Sequence, residues 1–311
     1  RLFTRFFEAV PRRSQQFMNC SRELLRPSAH IIDANCLLRH PAEKGAWIWH
    51  PSCPNDRTAV LRFTRHFRLE SPKSVLLHVS GDQRFQLRCN GEDITFGSDR
   101  CDIEHWTVQS IRVELEAGEH EMEALVWWIA EPESVSTRID LDGSDPRPRP
   151  PMAQMTWKGG FVIYTEDLPS DVLNTGSSAW EVADLTPAVR MFRQRIPFYF
   201  DVGPSFELDL DGWRSAKREP AVVIKAPLVP NILGVREPGW CLYPADLPEQ
   251  RRELWAGGRI RAARWSWNED AFGCGDEESA GDFAALTAGG AVRVPPHSRL
   301  TLLWDLQDYR C

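Results

Sequence analysis

Between Leu61 and Trp128 the chain reads as strand, turn and strand with hardly a break, and this fixes the fold class. Leu61, Phe63, Phe67 and Leu69 alternate with Arg62, Thr64, His66 and Arg68. A period of two places one set on a buried face and the other on a wet one. Val75, Leu77 and Val79 give the next strand, Phe85 to Cys89 another, and Ile94 to Phe96 a short return. Between the last two stands Asn90-Gly91, which suits a two-residue hairpin because both residues tolerate positive φ. Ile111 to Leu115 alternates again, turns at Ala117-Gly118 and leads into Met122 through Ile129. That last run is apolar on both faces (Leu125, Val126, Trp127, Trp128), which predicts a central strand.

Outside this run the signals are weaker. Phe6, Val10, Phe17 and Leu24 recur loosely at helical spacing, so residues 1–26 are expected to be mostly helical. Asp142 to Pro151 is too rich in proline to hold a ladder and reads as a surface loop, with strands resuming at Met155 to Trp157 and Phe161 to Tyr164. Residues 180–200 leave helix and strand both open. Ser205 through Leu210 alternates as a strand. Pro248 to Glu253 breaks the pattern, and beyond it Ala262 to Trp267, Gly290 to Val294 and Ser298 to Leu306 read as short strands around the acidic stretch Asp276 to Glu278. The expected organisation is a helical segment at 1–40, a large jelly-roll-like β-sandwich at 41–248 and the beginning of a second β-domain at 249–311. A final strand running almost to Cys311 has no sheet of its own, so the second domain is expected to be truncated.

Composition excludes several functions. A formal charge of −7 over 311 residues lacks the basic stripe that a nucleic-acid partner needs. No run approaches the ~18 apolar residues of a membrane span. Eight cysteines lie far apart without a C-x-x-C pair, which points to reduced thiols and favours a cytoplasmic setting. The common nucleotide, hydrolase and zincin motifs are absent and the histidines are scattered, so neither a cofactor nor a metal site is expected. Thirteen tryptophans against four tyrosines suit β-cores and sugar-stacking faces alike.

Several segments in order carry a resemblance. They are Trp47-Ile48-Trp49, the phenylalanine-rich strand Phe63 to Leu69, Val79-Ser80-Gly81-Asp82, Asn90-Gly91 and Gly97 to Asp102 with His105-Trp106. Val235 to Trp240 with Leu247-Pro248, and Leu300 to Leu306, continue it. Together they resemble the galactose-binding-like β-sandwich and following β-domain that precede the catalytic barrel of bacterial alpha-L-rhamnosidases, glycoside hydrolase family 78. The resemblance implies an accessory, non-catalytic module of an inverting glycosidase. Its partners would be a downstream (α/α)-barrel of the same polypeptide and rhamnose-containing glycans. It brings no catalytic residue into this chain. A carbohydrate-binding module, or an interaction module without sugar chemistry, are the rival readings.

Three groups of residues are candidate sites. Asp99, Arg100, Asp102, Glu104 and His105 fall within seven residues and could hold a sugar or a cation. The preferred reading is an Asp–Arg pair that pins a long loop, with His105 and Trp106 packed beneath it. Trp47, Trp49 and Trp157 could stack on sugar rings, but sealing the edge of the sandwich is the preferred role. Asp99, Arg100, Asp102, His105, Trp106, Trp47 and Trp49 are therefore the carbohydrate-binding candidates. Glu207, Asp209 and Asp211 would share one strand face at about 6.5–7 Å spacing, within the roughly 6.5–9.5 Å an inverting carboxylate pair uses. A solvated strand face is the preferred reading there, and Asp276-Glu277-Glu278 reads as an acidic loop tip.

Overall fold

The computed structural model describes residues 20–24, 45–99, 106–129, 158–192, 205–225, 228–230, 236–238, 240, 242–248, 258–266, 277–278, 286, 290, 292–295 and 298–305. Phe17–Glu249 make one compact unit, and Gln250–Cys311 belong to another. The predicted Pro- and Arg-rich loop at 142–151, the strand at 155–157, residues 1–19 and Arg100 to His105 lie outside the described residues.

The first unit is a sandwich of two antiparallel-rich sheets. In chain order its strands are β1 (Cys20–Glu23), β2 (Ile48–Trp49), β3 (Ala59–Leu69), β4 (Lys73–Asp82), β5 (Arg84–Cys89), β6 (Glu92–Gly97), β7 (Trp106–Leu115) and β8 (Gly118–Trp128). There follow β9 (Gly160–Tyr164), helix α1 (Ser170–Leu173), β10 (Glu181–Asp184), β11 (Val189–Phe192), β12 (Ser205–Leu208) and helix α2 (Leu210–Ser215). The unit ends with β13 (Arg218–Pro220), β14 (Val222–Val223), β15 (Leu228–Pro230), β16 (Arg236–Pro238) and β17 (Leu242–Pro244). One sheet runs β1-β7-β4-β9-β2-β14, with β17 also on β7, and the other runs β13-β10-β3-β8-β5-β6. The long run of alternation thus supplies the centre of both sheets, and β8 lies between β3 and β5 as its two-sided apolarity requires.

The alternation sorts side chains into three layers. Leu61, Phe63, Leu77, Val79, Phe85, Leu87, Ile111, Val113, Met122 and Val126 fill the interior between the sheets. Residues of opposite parity form two smaller clusters on the outer faces. Trp106 on β7 and Val162 on β9 join Trp47 and Trp240 outside the seven-stranded sheet. Val60 on β3 and Ala183 on β10 join Leu185, Leu125, Trp127 and Trp213 outside the six-stranded sheet. The Asn90-Gly91 turn takes the expected form, with φ of 53° and 81° between Cys89 and Glu92. Cys53 and Cys89 are free thiols, and burial pushes the Cys89 thiol up to about 12.

Several expectations are corrected. Cys20–Glu23 lies within the segment read as helical but forms β1, paired with Val113 to Ser110 of β7. Loose helical periodicity yields there to the free ladder groups of a sheet edge, which four residues can satisfy. Residues 181–192 resolve to strands β10 and β11 about a short 3-10 turn at Thr186–Ala188. The alternation at 205–210 stops at Leu208, because the Asp209 carboxylate accepts the Asp211 amide and caps α2. Glu207, Asp209 and Asp211 therefore do not share a strand face.

In the second unit β18 (Arg259–Ser266) pairs with β19 (Glu277–Glu278) and β20 (Arg299–Asp305). The acidic tip at Glu277-Glu278 is thus a short edge strand, and residues 290 and 292–294, read as a strand, take no part in a ladder. Ile260, Ala263 and Leu286 form its small core. No described helix is long and apolar enough to cross a membrane.

Candidate functional site

Of the predicted site residues, Asp99 follows the end of β6 and Trp106 begins β7. The outer edge of β7 is covered by two segments distant in sequence. β17 pairs in parallel with Trp106 to Val108, and β1 pairs antiparallel with Ser110 to Val113. Gln109 stands at the joint. Its amide donates to the Phe96 carbonyl (2.8 Å) and to Asp99 Oδ1 (3.3 Å), and its Oε1 accepts from Thr95 Oγ1 (2.8 Å). Such a fully used side-chain amide fixes the strand that carries it.

Asp99 meets Arg22 of β1 in a two-pronged ion pair, and its carbonyl accepts from Thr107 Oγ1 at 3.2 Å. Asp99 is thus held by a guanidinium that comes from 77 residues upstream. Arg100, Asp102 and His105 lie outside the described residues. A second pair, Glu23 with Arg112, holds the next residue of β1. Because the Arg22 and Asp99 side chains are only 6% and 18% exposed, Arg22→Ala should loosen β1 by about 1.5–3 kcal/mol, the range for hydrogen bonds to charged groups. Hydrogen exchange would show this as lost protection along β1 and the 110–113 edge of β7, with the six-stranded sheet unchanged.

The aromatic candidates are interior. Trp47 and Trp106 are 2% and 1% exposed, and Trp49, at 1%, faces the central core beside Phe63. None of the three presents a ring face to solvent, and Trp157 lies outside the described residues. The structure brings Trp47 and Trp106 together but leaves Trp49 in a different cluster. Trp240, not singled out beforehand, completes the group. Its ring stacks on Trp47 with centroids 4.2 Å apart and 23° between planes. Its Nε1 donates to Asp82 Oδ2 at 2.8 Å, and Asp82 is wholly buried. Only its place in the Val235 to Trp240 segment of the resemblance marked it. Around this group Ser80 Oγ donates to the Thr107 carbonyl (2.7 Å), Ser98 Oγ to the Gly81 carbonyl (2.6 Å) and Arg84 Nη1 to the Ser98 carbonyl (2.9 Å). These bonds tie β4, the loop after β6 and β7 to each other. The arrangement is a closed, cross-linked strand end suited to holding shape.

Against known proteins, no protein-family model matches the sequence and no curated protein matches it. Solved structures do. A GH78 family rhamnosidase of Bacillus sp. GL1 is similar over 72% of this chain and 22% of its own, at 17% identity and a TM-score of 0.47. The alpha-L-rhamnosidase of Aspergillus terreus is similar over 60% of this chain and 22% of its own, at 14% identity and 0.38. A lectin of Pleurotus ostreatus follows over 53% of this chain and 41% of its own, at 13% identity and 0.29. The chain thus spans under a quarter of the length of either rhamnosidase.

Among the described residues no group of three His, Cys, Asp or Glu side chains is placed to hold a metal ion.

Proposed function

We propose that this chain is a non-catalytic β-sandwich portion of an alpha-L-rhamnosidase-like glycoside hydrolase, and that it supports the mouth of a catalytic domain carried further along the same polypeptide. The observation that carries this reading is the way the resembling segments sit in one sandwich. Trp47 to Trp49 opens β2, Phe63 to Leu69 lies in β3, Val79 to Asp82 ends β4, and Trp240 docks onto Trp47 and Asp82. Their tryptophans are spent on internal packing, which supports a scaffold in preference to a stacking platform at this strand end. Glu207, Asp209 and Asp211 are dispersed by the cap of α2, which argues against a carboxylate pair there.

The test is an activity comparison. The 311-residue chain should release nothing from p-nitrophenyl α-L-rhamnopyranoside. The polypeptide recovered from its natural source through an affinity tag set in this chain should release L-rhamnose from the same compound. A recovered polypeptide without glycosidase activity would overturn the reading.

A further inference from the structure

Asn90-Gly91 is the one Asn-Gly step in the chain, and it forms the exposed tip of the β5–β6 hairpin. The pair suits the turn because both residues take positive φ, but it also carries a reaction. The backbone nitrogen that follows an asparagine can attack the side-chain amide carbon. It does so most readily when its own residue has no side chain to screen it, as in glycine. A β-carbon added at Gly91 would meet no atom outside its chain neighbours within 4 Å, so nothing crowds the turn there.

The Asn90 side chain is nevertheless held at both ends. Its Oδ1 accepts from the backbone N–H of Glu121 at 2.9 Å. The atom facing His120 Nδ1 at 3.1 Å is therefore the amide nitrogen, a donor. His120 Nδ1 must accept, which places the ring proton on Nε2, where it donates to the Glu116 carbonyl at 2.8 Å. The imidazole is 6% exposed and stacks on the Phe67 ring with centroids 5.3 Å apart. The Asn90 backbone N–H also donates to the Glu121 carbonyl at 2.8 Å. Flipping the amide would set N–H against N–H at Glu121 and oxygen against a lone pair at His120. The clamp onto β8 thus has one polarity, and it goes beyond what a two-residue turn needs.

We propose that Asn90 is a deamidation site that the β8 clamp holds closed. In the reaction the Gly91 nitrogen bonds to Asn90 Cγ, and its proton leaves with the Nδ2 group as ammonia. The cyclic imide then takes up one water molecule, which opens either of its two ring C–N bonds to give aspartate or its β-linked isomer. Bringing Cγ onto the Gly91 nitrogen turns the amide out of its bonds to Glu121 and His120, so the clamp adds to the barrier. Either product unmakes the clamp. Aspartate sets an oxygen against His120 Nδ1, and the isomer adds a carbon to the main chain between the paired residues Cys89 and Glu92. The site does not depend on the rhamnosidase reading.

The experiment incubates the full chain near neutral pH, digests it and follows the Asn90 peptide by mass spectrometry for amide-to-acid conversion. The same chain unfolded in guanidinium chloride gives the unclamped rate. The native chain should convert at least about tenfold more slowly, as two hydrogen bonds of ordinary net strength require. His120→Phe keeps a ring on Phe67 but offers Asn90 no acceptor, and should convert about fivefold faster than the parent. Circular dichroism gives the unfolded fraction of each chain, and hence the rate that unfolding alone supplies. The variant should exceed that rate. Equal rates in the native and unfolded parent would overturn the proposal. So would a His120→Phe rate no higher than the parent's, or one wholly accounted for by its unfolded fraction.

Discussion

Trp240→Ala is expected to destabilise the sandwich by about 3–5 kcal/mol, the range for truncating a buried Trp. The residue is 2% exposed, stacked on Trp47 and hydrogen-bonded to the buried carboxylate of Asp82. Truncation opens a cavity beside Trp47 and Trp106 and takes a donor away from a carboxyl group held out of water. Trp240 also sits at φ 59°, a left-handed conformation that costs a bulky residue roughly 1–2 kcal/mol. Stacking and the indole bond hold it there. Alanine keeps the strain and loses both compensations. Trp240→Phe keeps a ring against Trp47 while removing the N–H and part of the indole volume, so it should cost less than alanine. The lost bond alone should cost about 1–3 kcal/mol, the penalty for leaving a buried acceptor without its donor. Urea unfolding followed by circular dichroism measures both. A Trp240→Ala loss below 1 kcal/mol would mean the cluster re-packs freely and the closed strand end is not rigid.

What the sequence made legible follows from range. Asn90-Gly91 was readable because a two-residue hairpin needs positive φ at two adjacent positions and nothing distant. The alternation in β3, β4 and β8 was readable because period two is local. The partner of Asp99 was not, since Arg22 reaches it only after a distant segment has added to the edge of β7. Nor was the pairing of Trp47 with Trp240. Glycines misled in the same way. Gly97 was noticed as part of a motif, but a β-carbon there would lie 2.3 Å from the Phe85 ring, so glycine is required by close approach. Gly160 has the same role between Trp47 and Trp240, at 2.7 and 2.8 Å. Thr64 shows the limit most plainly. It reads as one more wet-face residue of β3, and only the folded chain buries it.

Phe63→Ala should cost about as much as Trp240→Ala, again about 3–5 kcal/mol, but through the other layer. Phe63 is fully buried between the sheets, 5.2 Å from the Phe161 ring and 6.2 Å from that of Trp49. Parity separates the two layers physically. On β9 Phe161 and Ile163 face the central core, whereas Val162 faces the tryptophan group. A cavity at Phe63 and one at Trp240 thus lie on opposite sides of the seven-stranded sheet. If that sheet is stiff, the milder pair Phe63→Leu and Trp240→Phe should add to within about 0.5 kcal/mol, as independent sites do. A coupling above about 1 kcal/mol would show that the sheet transmits packing changes from one face to the other. In that case the outer tryptophan group would be part of one continuous core, and its role would be stability of the whole sandwich rather than stiffness of one strand end.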